Sequence, residues 1–180
     1  DIVMAVCDKI KSYAPNSKII VVTNPLDPLT YLVLKSLGGK RTQIMGMGGM
    51  LDLSRFKEHI STITGISRNS VQAMVISEHG ENMLPLVRFS SLCGIPLTEF
   101  ISSEQSEDLT NKTKKIAAEV ISLKGATVYA PGNAVSTMVE SIVKNKKTIL
   151  PVSALLEGEY GYHDVCIGVP CILGHDGAEK

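Results

Sequence analysis

Four residues carry side chains that together could do acid–base chemistry on an anionic substrate: Asn24, Asp52, Arg55 and His79. A histidine exchanges a proton near neutral pH because its ordinary pKa is about 6.5. A buried carboxylate that accepts from one ring N–H fixes the tautomer of the histidine and stabilises its charged form. An arginine holds a substrate carboxylate through two parallel hydrogen bonds, which a lysine cannot match. Asp52 and Arg55 are three residues apart, so on a helix they share one face.

Each of these residues also has an ordinary structural interpretation. An acid at the start of a helix complements the helix dipole, and an arginine one turn later is commonly a surface residue. Asn24 precedes a proline, where asparagine is a frequent turn residue. His79, in the stretch ISEHGENMLP, is interpreted on its own as a loop histidine. Spacing alone therefore leaves both interpretations open.

A second group has spacing that superficially resembles a zinc site: His163, Cys166, Cys171 and His175. Both cysteines, however, lie within apolar runs typical of strands, and the sequence has no CxxC knuckle. The four cysteines of the chain are interpreted as free thiols, mostly buried as small hydrophobic side chains. The sequence therefore predicts no metal site.

The first half of the chain alternates helix and strand patterns. The predicted elements are helices over 1–13, 29–37 and 51–64 and strands over 18–23, 42–46 and 71–77. The strand KIIVVT is a continuous apolar run of the kind that is buried on both faces of a parallel sheet. The two prolines of NPLDP, which follows it, predict a loop before the next helix. The alternation predicts an α/β architecture with Asn24 and His79 at strand ends, where ligands gather in open α/β folds.

The second half of the chain has a different pattern. Apolar residues at helical spacing predict two helices, over 109–123 and 135–143. Two apolar runs, TILPVSALLEG and DVCIGVPCILG, predict strands, with turns at GEYG and HDG. This half is typical of an α+β segment with an antiparallel sheet.

Composition excludes several classes of function. The chain has 180 residues, of which 44% are hydrophobic and 20% charged, and its formal net charge is zero. Because no Lys/Arg block stands out, neither a nucleic-acid partner nor a membrane surface is expected. No membrane span or signal peptide is recognised, so a cytoplasmic location is predicted. The chain lacks an initiator Met and begins within a helical pattern, which indicates a piece of a longer protein.

Five ordered stretches resemble the lactate/malate dehydrogenase family, above all the lactate-dehydrogenase-like malate dehydrogenases of archaea and bacteria. They are VVTNPLDPLTYLVLK, GMGGMLDLSRFK, ISEHGENMLPL, LKGATVYAPGNA and LEGEYGYHDVCIGVPCILG, and they cover nearly the whole chain. The resemblance implies an α/β fold, in which the end of a Rossmann-type parallel sheet is followed by the α+β substrate domain. Residues 1–24 would be the last part of the NAD(P)-binding domain, and residues 25–180 the substrate domain, incomplete at its C-terminus.

The resemblance also implies roles for individual residues. His79 falls on the family's catalytic histidine, and Asp52 on its aspartate partner. Arg55 falls on the arginine that binds the substrate carboxylate. Asn24 falls on the asparagine at the substrate and the nicotinamide, and Val22 lies in the segment that lines the cofactor. The implied activity is that of a malate dehydrogenase: reversible hydride transfer between malate or oxaloacetate and NAD or NADP, with His79 as general acid–base.

Some features of the sequence depart from the family pattern. Leu53 stands where small residues are common, Ser77 replaces a usual glycine and Glu81 a usual aspartate, but none of these changes removes a chemical role. The family's phosphate-binding turn is not found, since GMGGM is not GxGxxG and lacks the strand–turn–helix context. The chain by itself is therefore expected to be inactive, and the choice between NAD and NADP stays open.

Other functions remain alternatives. One is an L-lactate dehydrogenase, or another 2-hydroxy acid dehydrogenase of the same fold, because these enzymes use the same residues. Another is a non-catalytic oligomerisation fragment, since the predicted helices have apolar faces. The expected partners are a small-molecule dicarboxylate and further copies of the chain, as a homodimer or homotetramer.

Overall fold

A computed structural model describes residues 2–80, 82–124 and 127–180. The helices are α1 (Ile2–Tyr13), α2 (Leu26–Leu37), α3 (Met50–Thr64), α4 (Ser103–Lys124) and α5 (Tyr129–Val143). The first strands are β1 (Ile19–Val21), β2 (Ile44–Gly46), β3 (Val71–Gln72), β4 (Val75–Ile76) and β5 (Leu84–Pro85). The later ones are β6 (Ser91–Leu92), β7 (Ile95–Pro96), β8 (Thr148–Glu157), β9 (His163–Gly174) and β10 (Gly177–Ala178).

The main sheet has the strand order β1-β2-β8-β9-β10 and is mixed. Strands β1 and β2 run parallel, with Ile20 opposite Met45. Strands β8 and β9 form a long antiparallel hairpin, in which Val152 lies opposite Val169, and β2 joins it antiparallel. The predicted α/β fold with an antiparallel second half is thus confirmed.

The predicted strand over 71–77 is wrong in its continuity. It is split into β3 and β4, which pair antiparallel with β6 and β5 in two small separate sheets. An alternating or continuous apolar run has the same pattern whether its neighbour is parallel or antiparallel, so periodicity cannot choose the partner. Here the partners are local, since only seven residues separate β5 from β4, and local pairing closes a smaller loop.

The loop predicted over 24–28 is shorter than expected. Helix α2 begins at Leu26, directly after a cis Asn24–Pro25 bond, and Pro28 lies inside its first turn. The first N–H groups of a helix have no partner within it, so a proline there removes no hydrogen bond. As a result Asp27 lies in the first turn of α2 rather than in a loop. The helix ends as predicted, at Gly38 in the left-handed conformation.

Three clusters of buried apolar side chains hold the elements together. One joins α5 to the β8–β9 hairpin and the start of α3, where Met50 and Leu51 contribute. A second joins the middle of α3, through Phe56 and Ile60, to α4 and the small sheets. A third joins α1 and α2 to β1 and β9. Helix α3 thus touches two cores, and this fixes the orientation of its first turn.

The Gly-rich turn GMGGM, which comes before α3, has a structural role. Gly48 has a φ of 58°, and a Cβ on it would lie 2.6 Å from the backbone nitrogen of Ser153. Only a glycine allows this approach of the turn to β8. The first turn of α3 is therefore brought close to the main sheet.

Among the described residues, no helix is both long enough and apolar enough to cross a membrane.

A second close approach, between Gly168 of β9 and Ser77, gives a prediction for stability. A Cβ on Gly168 would lie 2.5 Å from the carbonyl oxygen of Ser77. We expect Gly168→Ala to lower the free energy of unfolding by about 1–3 kcal/mol, since this backbone contact must open. The matched control is Gly132→Ala in α5, where an added Cβ meets nothing within 4 Å. It should raise the free energy of unfolding by about 0.5–1 kcal/mol. Urea titration of both variants measures the difference; equal effects would contradict the tight contact.

Candidate active site

The four residues singled out from the sequence line one cavity of about 900 Å³: Asn24, Asp52, Arg55 and His79. Its walls come from the start of α2, the first turn of α3, the segment after β4, and parts of α4 and β9. Three of the four residues are directly connected by hydrogen bonds, as described below.

Asp52 is the centre of the connected set. Its side chain is 1% exposed, and each carboxylate oxygen has its own partner. Oδ2 lies 2.6 Å from Nδ1 of His79, and Oδ1 accepts from Nη1 of Arg55 at 3.1 Å. A buried carboxylate is costly unless paired and hydrogen-bonded, and these two contacts supply both. Asp52 does lie in the first turn of α3, as its ordinary interpretation has it, but the interpretation of Arg55 as a surface residue is wrong, since its side chain is only 12% exposed.

His79 is held so that one ring nitrogen is left for a ligand. An ionised carboxylate only accepts hydrogen bonds, so Nδ1 of His79 carries the proton that it donates to Asp52. Nε2 is then the atom that accepts or donates a proton elsewhere. The hydrogen bond to Asp52 raises the pKa of His79 above its ordinary 6.5, while burial of the ring acts in the opposite direction. The side chain is still 17% exposed, so ligands can reach it.

The segment that presents His79 is fixed through Ser77. Ser77 has a φ of 77°, in the left-handed region that favours glycine. Its N–H donates to the carbonyl of Gly168 at 2.8 Å, and its carbonyl accepts from the N–H of Gly168 at 3.2 Å. The position where the sequence departs from the family's glycine thus requires a positive φ in the structure, and the bridge to β9 holds it there.

The two predicted cofactor residues lie beyond the end of β1. Asn24 is exposed and lines the cavity, at the cis bond before α2. Val22 directly follows β1 and is 40% exposed, but it is not among the residues that line the cavity. Neither position makes contact with Asp52 or His79 through a hydrogen bond in the part of the chain described here.

Four charged residues of the cavity were missed by sequence reasoning: Asp27, Glu78, Lys114 and Lys115. Asp27 was assigned to a loop, and an acid in a first helical turn has an ordinary interpretation. Lys114 and Lys115 lie in the polar stretch NKTKK of α4, where lysines are expected on a solvated face. The only signal in the sequence for Asp27 was its position three residues after Asn24.

The zinc alternative is not supported by the arrangement of the cysteines. Cys166 and Cys171 are five residues apart on β9, so their side chains point to opposite faces of the strand. Cys166 packs in the cluster with α1 and α2, and Cys171 in the cluster with α5. Burial raises the pKa of Cys166 to about 12 and that of Cys171 to about 11, so both stay neutral thiols. Over the described ranges, no cluster of three or more His, Cys, Asp or Glu is suited to a metal ion.

One position discussed from the sequence, Glu81, lies outside the described residues, as do Gly125 and Ala126 of the LKGATVYAPGNA stretch.

The Asp52–His79 hydrogen bond gives a prediction on pH dependence. We expect Asp52→Asn to lower the pKa of His79, because the largest cause of its rise is removed while burial remains. A histidine whose pKa is raised by folding stabilises the fold fully below its unfolded value, and this stabilisation is lost as pH rises through the folded pKa. The free energy of unfolding of the original chain should therefore fall as pH rises from the unfolded to the folded pKa of His79. This fall should vanish in Asp52→Asn. An NMR titration of the His79 ring with parallel urea titrations measures both; an unchanged His79 pKa would contradict the assignment.

Comparison with known proteins places this geometry in context. A family model described as lactate/malate dehydrogenase, alpha/beta C-terminal domain, matches residues 49–180. The malate dehydrogenase of Shouchella clausii is 42% identical to this chain, and that of Bacteroides thetaiotaomicron is 46% identical. Each alignment covers 99% of the chain. The chain spans 58% of the length of each of these relatives.

Solved structures give a similar result. The malate dehydrogenase from Salinibacter ruber is 40% identical, with a TM-score of 0.95 over 99% of this chain and 59% of that one. A lactate dehydrogenase from Eimeria maxima, solved with NADH and oxamate, is also 40% identical, with a TM-score of 0.95 over 99% of this chain and 58% of that one.

Proposed function

Because the chain belongs to the lactate/malate dehydrogenase family, we propose that it is the substrate-binding part of a malate dehydrogenase. The observation that carries the proposal is the hydrogen-bonded set of His79, Asp52 and Arg55 in one cavity. In this set His79 exchanges protons, Asp52 fixes the tautomer of His79, and Arg55 binds carboxylates. The similarity to malate dehydrogenases of several bacteria supports the same activity.

In this proposal His79 moves the proton of the reaction. When malate is oxidised, Nε2 of His79 takes the hydroxyl proton, and the imidazolium that forms is stabilised by Asp52. When oxaloacetate is reduced, the imidazolium returns that proton to the substrate oxygen. Because the hydrogen bond to Asp52 raises the pKa of His79, the charged form needed for reduction is more populated than in an ordinary histidine at the same pH. Arg55 binds the C1 carboxylate and so sets the distance between the substrate hydroxyl and His79.

The carrier of the hydride is proposed to be NAD or NADP, which supplies or accepts the hydride at the substrate carbon when bound. Asn24 fits such a cofactor, since its exposed amide can hydrogen-bond both a carboxamide and a substrate oxygen. The exposed side chain of Val22 fits the apolar face of a nicotinamide ring. NADH is the form to test first, because the similar lactate dehydrogenase from Eimeria maxima was solved with it.

A dicarboxylate substrate is supported by the charges of the cavity. Besides Arg55, the cavity is lined by Lys114 and Lys115, which form no ion pair with its acids Asp27, Asp52 and Glu78 among the described residues. The two lysines thus supply positive charge for a second substrate carboxylate, beside the one that Arg55 binds. Malate has a second carboxylate, which lactate lacks. The two substrates are therefore distinguished by whether the cavity accommodates that group.

Further parts of the proposal concern the whole protein. Residues 1–24 are proposed to complete the dinucleotide-binding domain and residues 25–180 to form the substrate domain. A homodimer or homotetramer is proposed because α1 exposes the apolar side chains of Ile2, Val6 and Tyr13. The cytoplasmic location stays a prediction.

The second candidate function is an L-lactate dehydrogenase, which the similarity to the Eimeria maxima enzyme favours. The test compares oxaloacetate and pyruvate as substrates of the complete enzyme, with NADH consumption as the readout and NADPH in parallel. Malate dehydrogenase activity predicts a kcat/KM for oxaloacetate far above that for pyruvate. The reverse order would establish the lactate dehydrogenase, and no turnover of either would contradict both. The 180-residue chain alone, which is expected to be inactive, is the control.

A further inference from the structure

Gly168 of β9 has no part in the proposed reaction, but its backbone lies against the chain that leads to His79. Its N–H and carbonyl exchange two hydrogen bonds with the backbone of Ser77, at 3.2 and 2.8 Å. A Cβ on Gly168 would lie 2.5 Å from the carbonyl oxygen of Ser77. Carbon–oxygen contacts in proteins are ordinarily no shorter than about 3.3 Å. The two backbones can therefore lie this close only because residue 168 has no side chain.

Ser77 passes the position of β9 on to His79 over a short stretch of chain. Only Glu78 separates the two residues. Ser77 has a φ of 77°, and a residue with a Cβ adopts positive φ only within a narrow range. This leaves the backbone at Ser77 little freedom to adjust. A displacement of the Ser77 carbonyl is therefore transmitted to the residues that follow it.

The helix that carries Asp52 is held at the same part of the main sheet. Gly168 lies opposite Ser153 of β8. The turn before α3 packs on that residue, since a Cβ on Gly48 would lie 2.6 Å from the backbone nitrogen of Ser153. Asp52 follows this turn directly, in the first turn of α3. The β8–β9 hairpin thus fixes both the helix that carries Asp52 and the chain that carries His79.

The contact between Asp52 and His79 is sensitive to small shifts of either segment. Oδ2 of Asp52 lies 2.6 Å from Nδ1 of His79. To give a Cβ on residue 168 ordinary room, the carbonyl of Ser77 would have to move by about 1 Å. A shift of that size at His79 would lengthen the contact beyond the range of a side-chain hydrogen bond. Misplacement of reacting groups by about 1 Å can lower a rate about 100-fold.

We propose that Gly168 is a positioning residue of the candidate active site. Its missing side chain lets the backbone of Ser77 lie against β9, and this places the ring of His79 at hydrogen-bond distance from Asp52. Gly168 acts only through His79 and contacts neither substrate nor cofactor. Its effect on turnover rests on the proposed function, whereas its effect on the hydrogen bond between His79 and Asp52 does not.

Gly168→Ala in the complete enzyme is the direct test, and Gly177→Ala is its matched control. Gly177 of β10 is also close to a backbone oxygen, since a Cβ there would lie 2.1 Å from the carbonyl oxygen of Thr42. Gly177 is not among the residues that line the cavity. Both variants should therefore lose stability in urea titrations, but only Gly168→Ala should affect His79.

The catalytic readout is steady-state kinetics, and the structural readout is the proton NMR signal of the Nδ1 proton of His79. We expect Gly168→Ala to lower kcat by about 10–100-fold. KM for oxaloacetate should change only a few-fold, because Arg55 on α3 stays in place. The Nδ1 signal, which a short hydrogen bond to Asp52 shifts downfield, should move upfield. Gly177→Ala should keep the kcat and the Nδ1 signal of the original enzyme.

A second change, at Ser77, keeps the test decisive even if Gly168→Ala folds poorly. Glycine adopts positive φ without strain and over a wider range, so Ser77→Gly lets the carbonyl turn away from the new Cβ without moving His79. Added to Gly168→Ala, it should restore stability, most of kcat and the downfield Nδ1 signal. Added to Gly177→Ala, it should restore no stability, because the two positions do not touch.

An original kcat and an unmoved Nδ1 signal in Gly168→Ala would overturn the proposal. Equal losses of kcat in Gly168→Ala and Gly177→Ala would do the same, since both would then follow from lower stability. A Gly168→Ala enzyme that Ser77→Gly does not improve would contradict the route through Ser77. An enzyme that turns over no hydroxy acid, but shows the shifted Nδ1 signal in Gly168→Ala, would contradict the proposed function and leave the positioning role established.

Discussion

Replacing His79 with Asn in the complete enzyme should lower kcat for malate oxidation by a factor of about 100 or more, the usual scale for a general acid–base. The asparagine amide can still donate to Asp52, so the buried carboxylate keeps a partner. It has no group that titrates near neutral pH and cannot take the hydroxyl proton. The loss should therefore fall on the proton-transfer step and not on folding.

Steady-state kinetics of the variant distinguish this loss from a loss of binding. Because Arg55 remains, KM for malate should change only a few-fold. His175→Asn is the matched control, since His175 is exposed in the turn after β9 and outside the cavity. Its kcat should stay near that of the original enzyme. A His79→Asn enzyme that retained more than half of the original kcat would refute the assignment of the acid–base.

Arg55→Lys should lower kcat/KM for oxaloacetate by a factor of about 10–150, which corresponds to one lost hydrogen bond between charged groups, of about 1.5–3 kcal/mol. Lysine keeps the positive charge but cannot present two parallel N–H donors to a carboxylate. It can still pair with Asp52, which would otherwise keep only His79 as a partner. The fold should therefore be retained, and the effect should appear mainly in KM.

The matched control for Arg55→Lys is Arg41→Lys. Arg41 binds the surface carboxylates of Glu157 and Glu159, outside the candidate active site. Its replacement should leave kcat and KM unchanged, because exposed ion pairs contribute about 0–1 kcal/mol and do not touch the cavity. If the Arg55→Lys enzyme showed the original KM and kcat, Arg55 would not be the carboxylate-binding group.

Much of the local structure was determined by the sequence itself. Helix α2 ends at Gly38 and α3 ends at Gly65, both in the left-handed conformation that glycine allows, as the sequence predicts. The apolar runs of the second half form the β8–β9 hairpin. The three-residue spacing of Asp52 and Arg55 was sufficient to place them on one helix face, and their side chains are in contact. These features depend on residues close in the chain, where spacing and backbone preference decide the conformation.

The combination of these residues into a site was decided only by the tertiary structure. His79 is 27 residues from Asp52 in the chain, and no spacing rule connects them. Their contact requires that α3 be fixed by two cores and that Ser77 be bound to β9 in a left-handed conformation. The resemblance to a family named these residues, but their contact depends on packing between distant segments.

The place of Asp27 in the cavity was likewise not predictable from the sequence. By its sequence it is an acid near two prolines, and only the early start of α2 brings it to the wall of the cavity that His79 also lines. Periodicity likewise did not reveal that the run over 71–77 divides between two antiparallel partners. The sequence alone determined which chemical groups are available and which local elements carry them. The burial of Asp52 and its hydrogen bond to His79, which raises the pKa of that histidine, arise from contacts between elements far apart in the chain, which local patterns do not specify.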